Sequence, residues 1–284
     1  MSIRVVTDSS TNVPEAELAR LNIAEVPAIV NFGAESFLNK VEITAEEFYR
    51  RLAAAEKLPT TAQPTPQQFA QAYAHLAAEG ADEIIAVTVS SKLSGTFSSA
   101  VLAAENAAVK VHLWDSLSAS IGGGLQAIAA AEMVRDGLAS AELLQRLAGI
   151  RKRMQTATTP ATLRYLVASG RAPKLQGSIG DLLDIKPILA VIDGLLEPVN
   201  KARGRRRALQ AMLDLVAGAV GDLPARMAVA HANVEDEARE FLQAVKARIR
   251  TVEPLFTELG PVLATLAGPG LIALAAYTLE EPNA

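Results

Sequence analysis

The stretch EIIAVTVSSKLSGTFSSAVLAAENAA, residues 83–108, decides the fold because it joins a strand to a helix through a hydroxyl-rich turn. Its apolar start, 83–87, predicts a buried strand, and the alanine-rich run 97–108 predicts a helix. The turn between them contains Ser90, Ser91, Ser94, Gly95 and Thr96. The first amides of a helix lack partners inside it and form the positive end of its dipole, so this turn can bind an oxyanion. Hydroxyls here also serve as ordinary helix caps, and the segment alone leaves both interpretations open.

The rest of the first half alternates short β-branched runs with helical patterns. Such alternation is typical of an α/β domain with a mostly parallel sheet covered by helices on both faces. The predicted strands are 3–7, 24–31, 83–88 and 110–114, and the predicted helices are 14–21, 45–54, 66–79, 97–108, 124–136 and 139–154. Ligands bind beyond the carboxyl ends of such strands, so we expect the polar loops 8–11, 90–96 and 115–116 to converge there.

The second half mixes strands and helices without this regular alternation. The strand-like runs are 186–191, 227–231, 251–258 and 262–266, and the helical patterns are 163–169, 206–220, 234–248 and 270–276. We therefore expect two domains, an N-terminal α/β domain over residues 1–156 and a smaller C-terminal α+β domain over 157–284.

Composition excludes several classes of function. The 284 residues are 50% hydrophobic but only 4% aromatic, and the net charge is -4, so neither stacking platforms nor general attraction to nucleic acid is expected. Without cysteine there is no disulfide, thiolate nucleophile or cysteine-bound metal. The chain begins with a strand rather than a signal peptide, and no apolar run is long enough to span a bilayer. We expect a soluble cytoplasmic protein without stable membrane insertion.

A second candidate loop is stiffened by prolines. In PTTAQPTP, residues 59–66, the prolines hold the backbone extended and present two adjacent hydroxyls. Thr65 is expected to cap a helix whose first residue is Pro66. That capping role does not account for Thr61, which is left as an open candidate for contact with a ligand.

The loop after the first strand, DSST at 8–11, contains one acidic residue. Asp8 could orient the neighbouring hydroxyls, although a turn and a helix start explain the loop more simply. Because the motif has no second carboxylate, a metal site is not expected here.

The three histidines, His75, His112 and His231, do not form a recognisable catalytic pattern. Only His231 follows an apolar strand, where functional residues collect, and no HExxH, GxSxG or nucleotide-binding glycine motif accompanies it. An enzyme that uses the hydroxyl cluster, such as a small-molecule kinase or an acyl hydrolase, stays open as the alternative function. Neither a cofactor nor a metal is expected.

A basic run stands out in this acidic chain. KARGRRR, residues 201–207, holds five cations and is either a solvated face or a docking surface for an acidic partner. A DNA-binding regulator would rest on this run alone. Arg171 follows Ser169 and Gly170, where the glycine suits the left-handed end of a helix and would present Arg171 outward.

Eight segments, in order along the chain, resemble the DegV proteins, the fatty-acid-binding subunits of bacterial fatty-acid kinases. Together they span nearly the whole chain, although none is decisive by itself. The segments are VTDSST at 6–11, PTTAQPTPQQF at 59–69, SSKLSGTFSSA at 90–100, WDS at 114–116, TLRYLVASGR at 162–171, KPILAVIDGLLEPVNKARGRRRAL at 186–209, HANVEDEA at 231–238 and AGPG at 267–270.

The resemblance implies a two-domain protein that buries one long-chain fatty acid between its halves. In that family the protein is not itself an enzyme. It presents the carboxylate to a separate ATP-dependent kinase subunit, and the acyl phosphate feeds phospholipid synthesis. By position, Thr61 and Ser94 match the hydroxyls that hold the carboxylate, assisted by the amides around Gly95 and Thr96.

Further candidates complete the set. Ser9 and Ser116, from the polar loops expected to converge, and Leu266, at a position where the family commonly has histidine, are possible pocket residues. Arg171 and Arg203 match basic positions that serve the encounter with the kinase subunit.

The chain departs from the family pattern at two positions. Ala62 stands where the family commonly has serine, and Leu266 stands where it commonly has histidine. The missing imidazole removes one donor near the carboxylate or the path of phosphoryl transfer. The difference therefore bears on coupling to a kinase more than on lipid binding.

Overall fold

The computed structural model describes residues 2–175 and 185–279. The strands are β1 Ile3–Asp8, β2 Ala24–Val26, β3 Ile29–Phe32, β4 Glu35–Leu38, β5 Thr60–Ala62, β6 Glu83–Thr88, β7 Lys110–Asp115, β8 Gln155–Thr159, β9 Ile185–Ile192, β10 Leu195–Arg203, β11 Ala225–His231, β12 Thr251–Glu258 and β13 Ile272–Thr278. The α-helices are α1 Glu15–Leu21, α2 Ala45–Ala54, α3 Pro66–Ala78, α4 Thr96–Ala104, α5 Ile121–Arg135, α6 Ser140–Arg153, α7 Arg164–Ser169, α8 Arg205–Val220, α9 Glu235–Arg248 and α10 Pro261–Ala267.

The N-terminal half contains the predicted parallel sheet, with strand order β2-β1-β6-β7. Alternate residues of its strands face opposite sides. Val6 and Ile84 pack with α3 and α4, whereas Val5 and Ile85 pack with α5. The sheet is therefore buried on both faces, which accounts for its nearly continuous apolar strands.

The single strand predicted over 24–31 is wrong, because two strands occupy that range. β2 belongs to the parallel sheet, and β3 belongs to a separate three-stranded antiparallel sheet of order β4-β3-β5. Pro27 lies between them and cannot donate a hydrogen bond to a ladder, so the chain changes sheets there. The small sheet places Thr61 of β5 opposite Val30 of β3.

The second half forms a six-stranded mixed sheet of order β10-β9-β8-β13-β11-β12. Only β11 and β12 are parallel neighbours. α8 and α9 cover one face, where Met212 and Phe241 pack against Leu274. α5 and α6 cover the other face through the cluster that includes Ala228 and Ala275.

α5 is consequently held between the two large sheets. Every residue from Ile121 to Ala131 is buried, and all of them except Gln126 are apolar or glycine, as expected of a helix in the centre of a core. The division into two domains, residues 1–156 and 157–284, stays a prediction. α5 lies in the first range but packs against strands of both halves.

Two predictions near the C-terminus are wrong, because a helix occupies a predicted strand and a strand occupies a predicted helix. The run 262–266, predicted as a strand, lies in α10, and the run 270–276, predicted as a helix, lies mostly in β13. Gly260 at the N-cap and Pro261 at the first helical position favour a helix start, and this preference prevails over the strand tendency of the short apolar run. β13 is rich in alanine because α5 and α6 pack closely on this central strand.

Over the described ranges, no helix combines the length and the apolar character that crossing a bilayer requires.

Candidate functional site

The carboxyl edge of the parallel sheet is organised by a buried carboxylate, Asp8. The N–H groups of Ser10 and Val89 donate to its two oxygens, each at 2.8 Å. Burial raises the pKa of Asp8, and the amides of Val89 and Ser10 oppose that rise. Asp8 also caps a 3-10 turn over Ser9–Thr11, which confirms the interpretation of this loop as a turn.

The three polar loops converge at this edge, as the topology predicts. The N–H of Ser90 donates to the carbonyl of Ser118 at 2.8 Å, and the N–H of Ser120 donates to the carbonyl of Ser10 at 3.0 Å. The loops that follow β1, β6 and β7 are thus joined directly by backbone hydrogen bonds.

A cavity of about 410 Å³ extends from this edge into the space between the two halves. Its wall is mostly apolar and comes from the parallel-sheet loops, the small sheet, α5, α7, α10 and the six-stranded sheet. Apolar side chains on the wall include those of Ile121, Leu189, Leu196, Val262, Leu266 and Leu271. Both the volume and the apolar character are typical of a site for a small organic ligand.

Thr61, Ser94 and Gly95 all line this cavity. Thr96 is fully buried and is absent from the wall, but it supports Ser94 from behind. The N–H of Thr96 donates to Ser94 Oγ at 3.3 Å, and the two hydroxyl oxygens lie 2.8 Å apart. When Ser94 Oγ accepts both bonds, its own proton is free to donate into the cavity.

Gly95 allows the proline-rich loop to approach the start of α4. A Cβ atom at Gly95 would lie 2.2 Å from Gln63 Oε1, so any larger residue would displace that side chain. Gln63 Nε2 donates to Ser99 Oγ at 3.2 Å and so ties the loop to α4. This close approach brings Thr61 and Ser94 to one cavity.

The other residues matched to the pocket divide into two groups. Leu266 of α10 is on the wall. Ser9 and Ser116 lie behind it, because Ser9 Oγ accepts the Ala28 N–H at 3.0 Å and Ser116 Oγ donates to the carbonyl of Ser118 at 3.3 Å. Those two hydroxyls hold the backbone of the loops.

The two arginines matched to partner docking are also placed differently. Arg171 is an exposed residue that lines the cavity, and it follows Gly170, whose φ of +71° is the left-handed conformation expected there. Arg203 is exposed at the end of β10, away from the wall. In the basic run, Arg205 is committed to Glu237 through two hydrogen bonds of 2.9 Å.

None of the three histidines lines the cavity. His231 is buried beside Phe256, with ring centroids 5.1 Å apart, and burial lowers its pKa. His112 pairs with Glu83, and His75 is exposed on α3. Over residues 2–175 and 185–279, no group of three histidine or acidic side chains is arranged to hold a metal ion.

Several polar residues of the wall were not predicted. Gln63 comes from the proline-rich loop, Ser10 and Ser120 come from the loops after β1 and β7, and Thr156 and Thr158 come from β8. The run QTATT at 155–159 contains three threonines, and this content of β-branched residues was the signal for β8 that could have been used.

Known proteins resemble this chain along nearly its whole length. A family model described as "Uncharacterised protein, DegV family" matches residues 2–279. A DegV domain-containing protein of Deinococcus radiodurans is 33% identical over 281 residues, which cover 99% of this chain and 100% of that protein. A Thermotoga maritima protein named fatty acid-binding protein is 31% identical over 293 residues, which cover 99% of each chain.

A solved structure has the same fold. The Thermus thermophilus structure, described as "Fatty Acid Binding of a DegV family Protein", superposes with a TM-score of 0.91 at 33% sequence identity. The superposition covers 98% of this chain and 100% of the other. With a family match that runs from residue 2 to residue 279, this chain belongs to the DegV family.

Proposed function

We propose that this protein binds one long-chain fatty acid, with the carboxylate at Thr61, Ser94 and Gly95 and the acyl chain inside the cavity. The observation that carries the proposal is an apolar cavity of about 410 Å³ that has a cluster of uncharged donors on its wall. The fatty-acid binding named for the Thermotoga and Thermus relatives supports the same ligand.

The head group would be held without a buried counter-charge. The hydroxyls of Thr61 and Ser94 can each donate one proton, and the amide of Gly95 lies at the positive end of α4. Hydrogen bonds to an ionised acceptor are stronger than those between neutral groups, so they favour the carboxylate form of the ligand. Arg171 adds a positive charge at the same cavity.

The acyl chain would supply most of the affinity. Each buried methylene contributes about 0.8 kcal/mol, so a chain of roughly fourteen to eighteen carbons gives on the order of 10 kcal/mol before ordering costs. The polar cluster then fixes the orientation of the ligand and contributes the smaller share of the binding free energy.

The second part of the proposal is presentation of the carboxylate to a separate ATP-dependent kinase subunit. A carboxylate oxygen would attack the γ-phosphorus of ATP, and the bond to the leaving ADP would break to give an acyl phosphate. Gln63 and Arg171 are exposed residues of the cavity wall, so this end of the cavity is reachable from outside. Arg171 and Arg203 are the proposed contacts with the kinase subunit.

Removal of the head-group hydroxyls tests the binding site. Thr61→Ala combined with Ser94→Ala should weaken fatty-acid binding about 100-fold, because hydrogen bonds to charged groups contribute about 1.5–3 kcal/mol each. Calorimetric titration with palmitate and oleate measures the effect, and Ser98→Ala on the exposed side of α4 is the control. Binding of the methyl ester should be nearly unaffected. Equal affinity of wild type and double variant for the free acid would remove both residues from the site.

Extraction of lipid from the purified protein, followed by mass spectrometry, tests the ligand class directly. A bound long-chain acid, or micromolar binding of an added one, is expected. If extraction gives no acid and titration gives no heat, the proposal fails.

The kinase step needs its own assay. With a cognate kinase subunit and ATP, hydroxylamine should trap acyl phosphate, and Arg203→Ala should lower the rate while fatty-acid affinity stays the same. Turnover of ATP or of an acyl ester by the isolated chain would instead favour an enzyme that uses the same hydroxyls.

A further inference from the structure

The β9–β10 hairpin forms one wall of the cavity. Leu189 and Val191 of β9 and Leu196 of β10 line it, and β10 is the edge strand of the six-stranded sheet. The two strands are joined by the two-residue turn Asp193–Gly194, with φ of +48° and +83°. Positive φ at both central residues is the type I′ geometry that gives a tight, well-defined hairpin.

The hairpin is strongly bonded internally and weakly bonded to the rest of the sheet. β9 and β10 pair along the whole length of β9. Within the described residues, by contrast, the ladder between β8 and β9 consists of one pair, Thr158 with Leu189. Thr156 Oγ1 accepts one further bond from the Val191 N–H at 2.8 Å. The seam between β8 and β9 therefore has few hydrogen bonds to break, and all four of these residues line the cavity.

The two ends of the hairpin differ in how they are fixed. At its base, Ile188 and Ala202 pack into the cluster that α8 and α9 form on the outer face. At its tip, Ile192 is 47% exposed and Leu195 is 39% exposed. Between the two ends, Leu189 and Leu196 pack with Leu166 of α7 and with Leu175. A hairpin with one ladder pair along one side can open at a lower free energy than a fully paired one, once these apolar contacts separate.

One side-chain hydrogen bond joins the tip to the N-terminal half. Ser90 Oγ donates to the Gly194 carbonyl at 2.8 Å, and it also accepts the Lys92 N–H at 3.2 Å. The carbonyl of the same serine accepts the N–H groups of Leu93 and Ser94, at 3.0 and 3.2 Å. The residue that holds the hairpin tip therefore also shapes the loop that carries Ser94.

We propose that the β9–β10 hairpin is the moving wall through which ligand enters and leaves, and that the Ser90–Gly194 hydrogen bond is its latch. The hairpin swings about its base at α8, and the seam between β8 and β9 parts to expose the interior. Ser90 is a positioning residue that acts through the hairpin and the loop. The inference rests on the proposed function, because the ligand that it concerns is the fatty acid.

Loss of the latch should speed exchange without abolishing binding. With the fluorescent acid cis-parinarate as the probe, Ser90→Ala should release ligand roughly three to ten times faster, the factor that corresponds to one net hydrogen bond. The association rate should rise as well, so that Kd changes less than either rate. Ser91→Ala, the exposed neighbour, is the matched control. Release at the wild-type rate from Ser90→Ala would overturn the role of the latch.

A second variant acts from the hairpin side. A Cβ atom at Gly194 would lie 2.5 Å from Ser90 Oγ, so Gly194→Ala should push the tip away and speed release at least as much. Gly137→Ala separates this effect from backbone strain, because Gly137 has a φ of +82° and nothing within 4 Å of its added methyl group.

A reversible crosslink tests the seam itself. Thr158 and Leu189 are directly opposed on antiparallel strands, where Cα atoms lie about 4.5–5.5 Å apart, within the range that a disulfide spans. The chain has no other cysteine, so Thr158→Cys with Leu189→Cys gives one defined bond. The oxidised variant should exchange cis-parinarate at least tenfold more slowly than the same protein after reduction. Equal rates in the two states would show that the seam does not open.

These outcomes separate the inference from the function on which it rests. If the protein binds cis-parinarate at equilibrium but neither latch variant nor crosslink changes the rates, the moving wall is wrong and fatty-acid binding stands. If no form binds the probe or extracted lipid, the proposed function itself is wrong.

Discussion

The absence of a side chain at Gly95 allows two loops of the site to approach each other. The Gln63 side chain occupies the space that any Cβ atom at position 95 would need. The glycine is required for this close approach and not for its backbone conformation, since its φ is -73°. With Gln63 in that space, the loop that carries Thr61 reaches the start of α4, where Ser94 lies.

We therefore expect Gly95→Ala to lower fatty-acid affinity about tenfold, because the methyl group displaces Gln63 and moves Thr61 away from Ser94. Titration calorimetry measures the change. In a Gln63→Ala background the clash is absent, so the same substitution should have little further effect. An undiminished loss in that background would contradict the assignment of the effect to Gln63.

At the scale of elements, the start of α5 is set by three consecutive glycines. Added Cβ atoms at Gly122 and Gly124 would lie 2.2 Å from Ser118 Oγ and 2.5 Å from the Thr11 carbonyl oxygen. The helix can thus pack directly on the turn that Asp8 caps. Small residues here serve packing, which accounts for the three consecutive glycines.

Gly124→Ala should lower the free energy of unfolding by about 1–3 kcal/mol, because its neighbour is backbone and cannot move aside cheaply. Urea denaturation measures the loss. Gly218→Ala in α8 is the control, since its methyl group would meet nothing within 4 Å and should stabilise the helix by about 0.5–1 kcal/mol. An unchanged midpoint for Gly124→Ala would show that α5 can shift freely.

Elements with strong local signals could be predicted, and those decided by tertiary packing could not. The strand, turn and helix around Ser94 and the convergence of the three loops follow from alternation and sheet topology. The segment of α10 was predicted as a strand and that of β13 as a helix, because a short apolar run has no distinctive period. β10 was missed although Asp193–Gly194 between apolar runs is a strong hairpin signal. The loops alone indicated Thr61 and Ser94 as candidates, and both line the cavity. Gln63 could not be predicted in this way, because its role depends on the contact between the two loops.

At the scale of the whole molecule, an ion-pair network joins the halves at the far side of α5. Arg226 of β11 pairs with Glu132 of α5 and with Glu253 of β12, the latter at 2.6 Å, and Arg20 of α1 also reaches Glu132 at 3.2 Å. Burial opposes ionisation of Glu132, but Arg226 and then Arg20 outweigh it, so the pKa of Glu132 is lowered.

Glu132→Gln should destabilise the protein at neutral pH by about 3 kcal/mol, the typical cost of breaking a mostly buried pair. Because the folded-state pKa is depressed, this contribution is present above the ordinary value of 4.5 and is lost as the pH falls through the folded-state pKa. Urea titrations at pH 7 and at low pH should show that the difference in free energy of unfolding between wild type and variant becomes smaller as the pH falls.

The neighbouring helix offers the control for that experiment. Glu142 pairs with Arg146 on the exposed surface of α6, so Glu142→Gln should change the free energy of unfolding by about 0.5 kcal/mol or less at either pH. A loss for Glu132→Gln that is equally small, or that does not depend on pH, would contradict a structural role for the network.

The position of β13 inside its sheet has a consequence for biosynthesis. Residues 272–278 insert between β8 and β11. The strands β8 to β10 on one side and β11 and β12 on the other are translated before β13, and they are not joined into one sheet until β13 leaves the ribosome. The N-terminal parallel sheet can form during translation, but the six-stranded sheet must wait with its alanine-lined centre open. For that interval the nascent chain is exposed to aggregation, and chaperones that shield unpaired strands would have their greatest effect then.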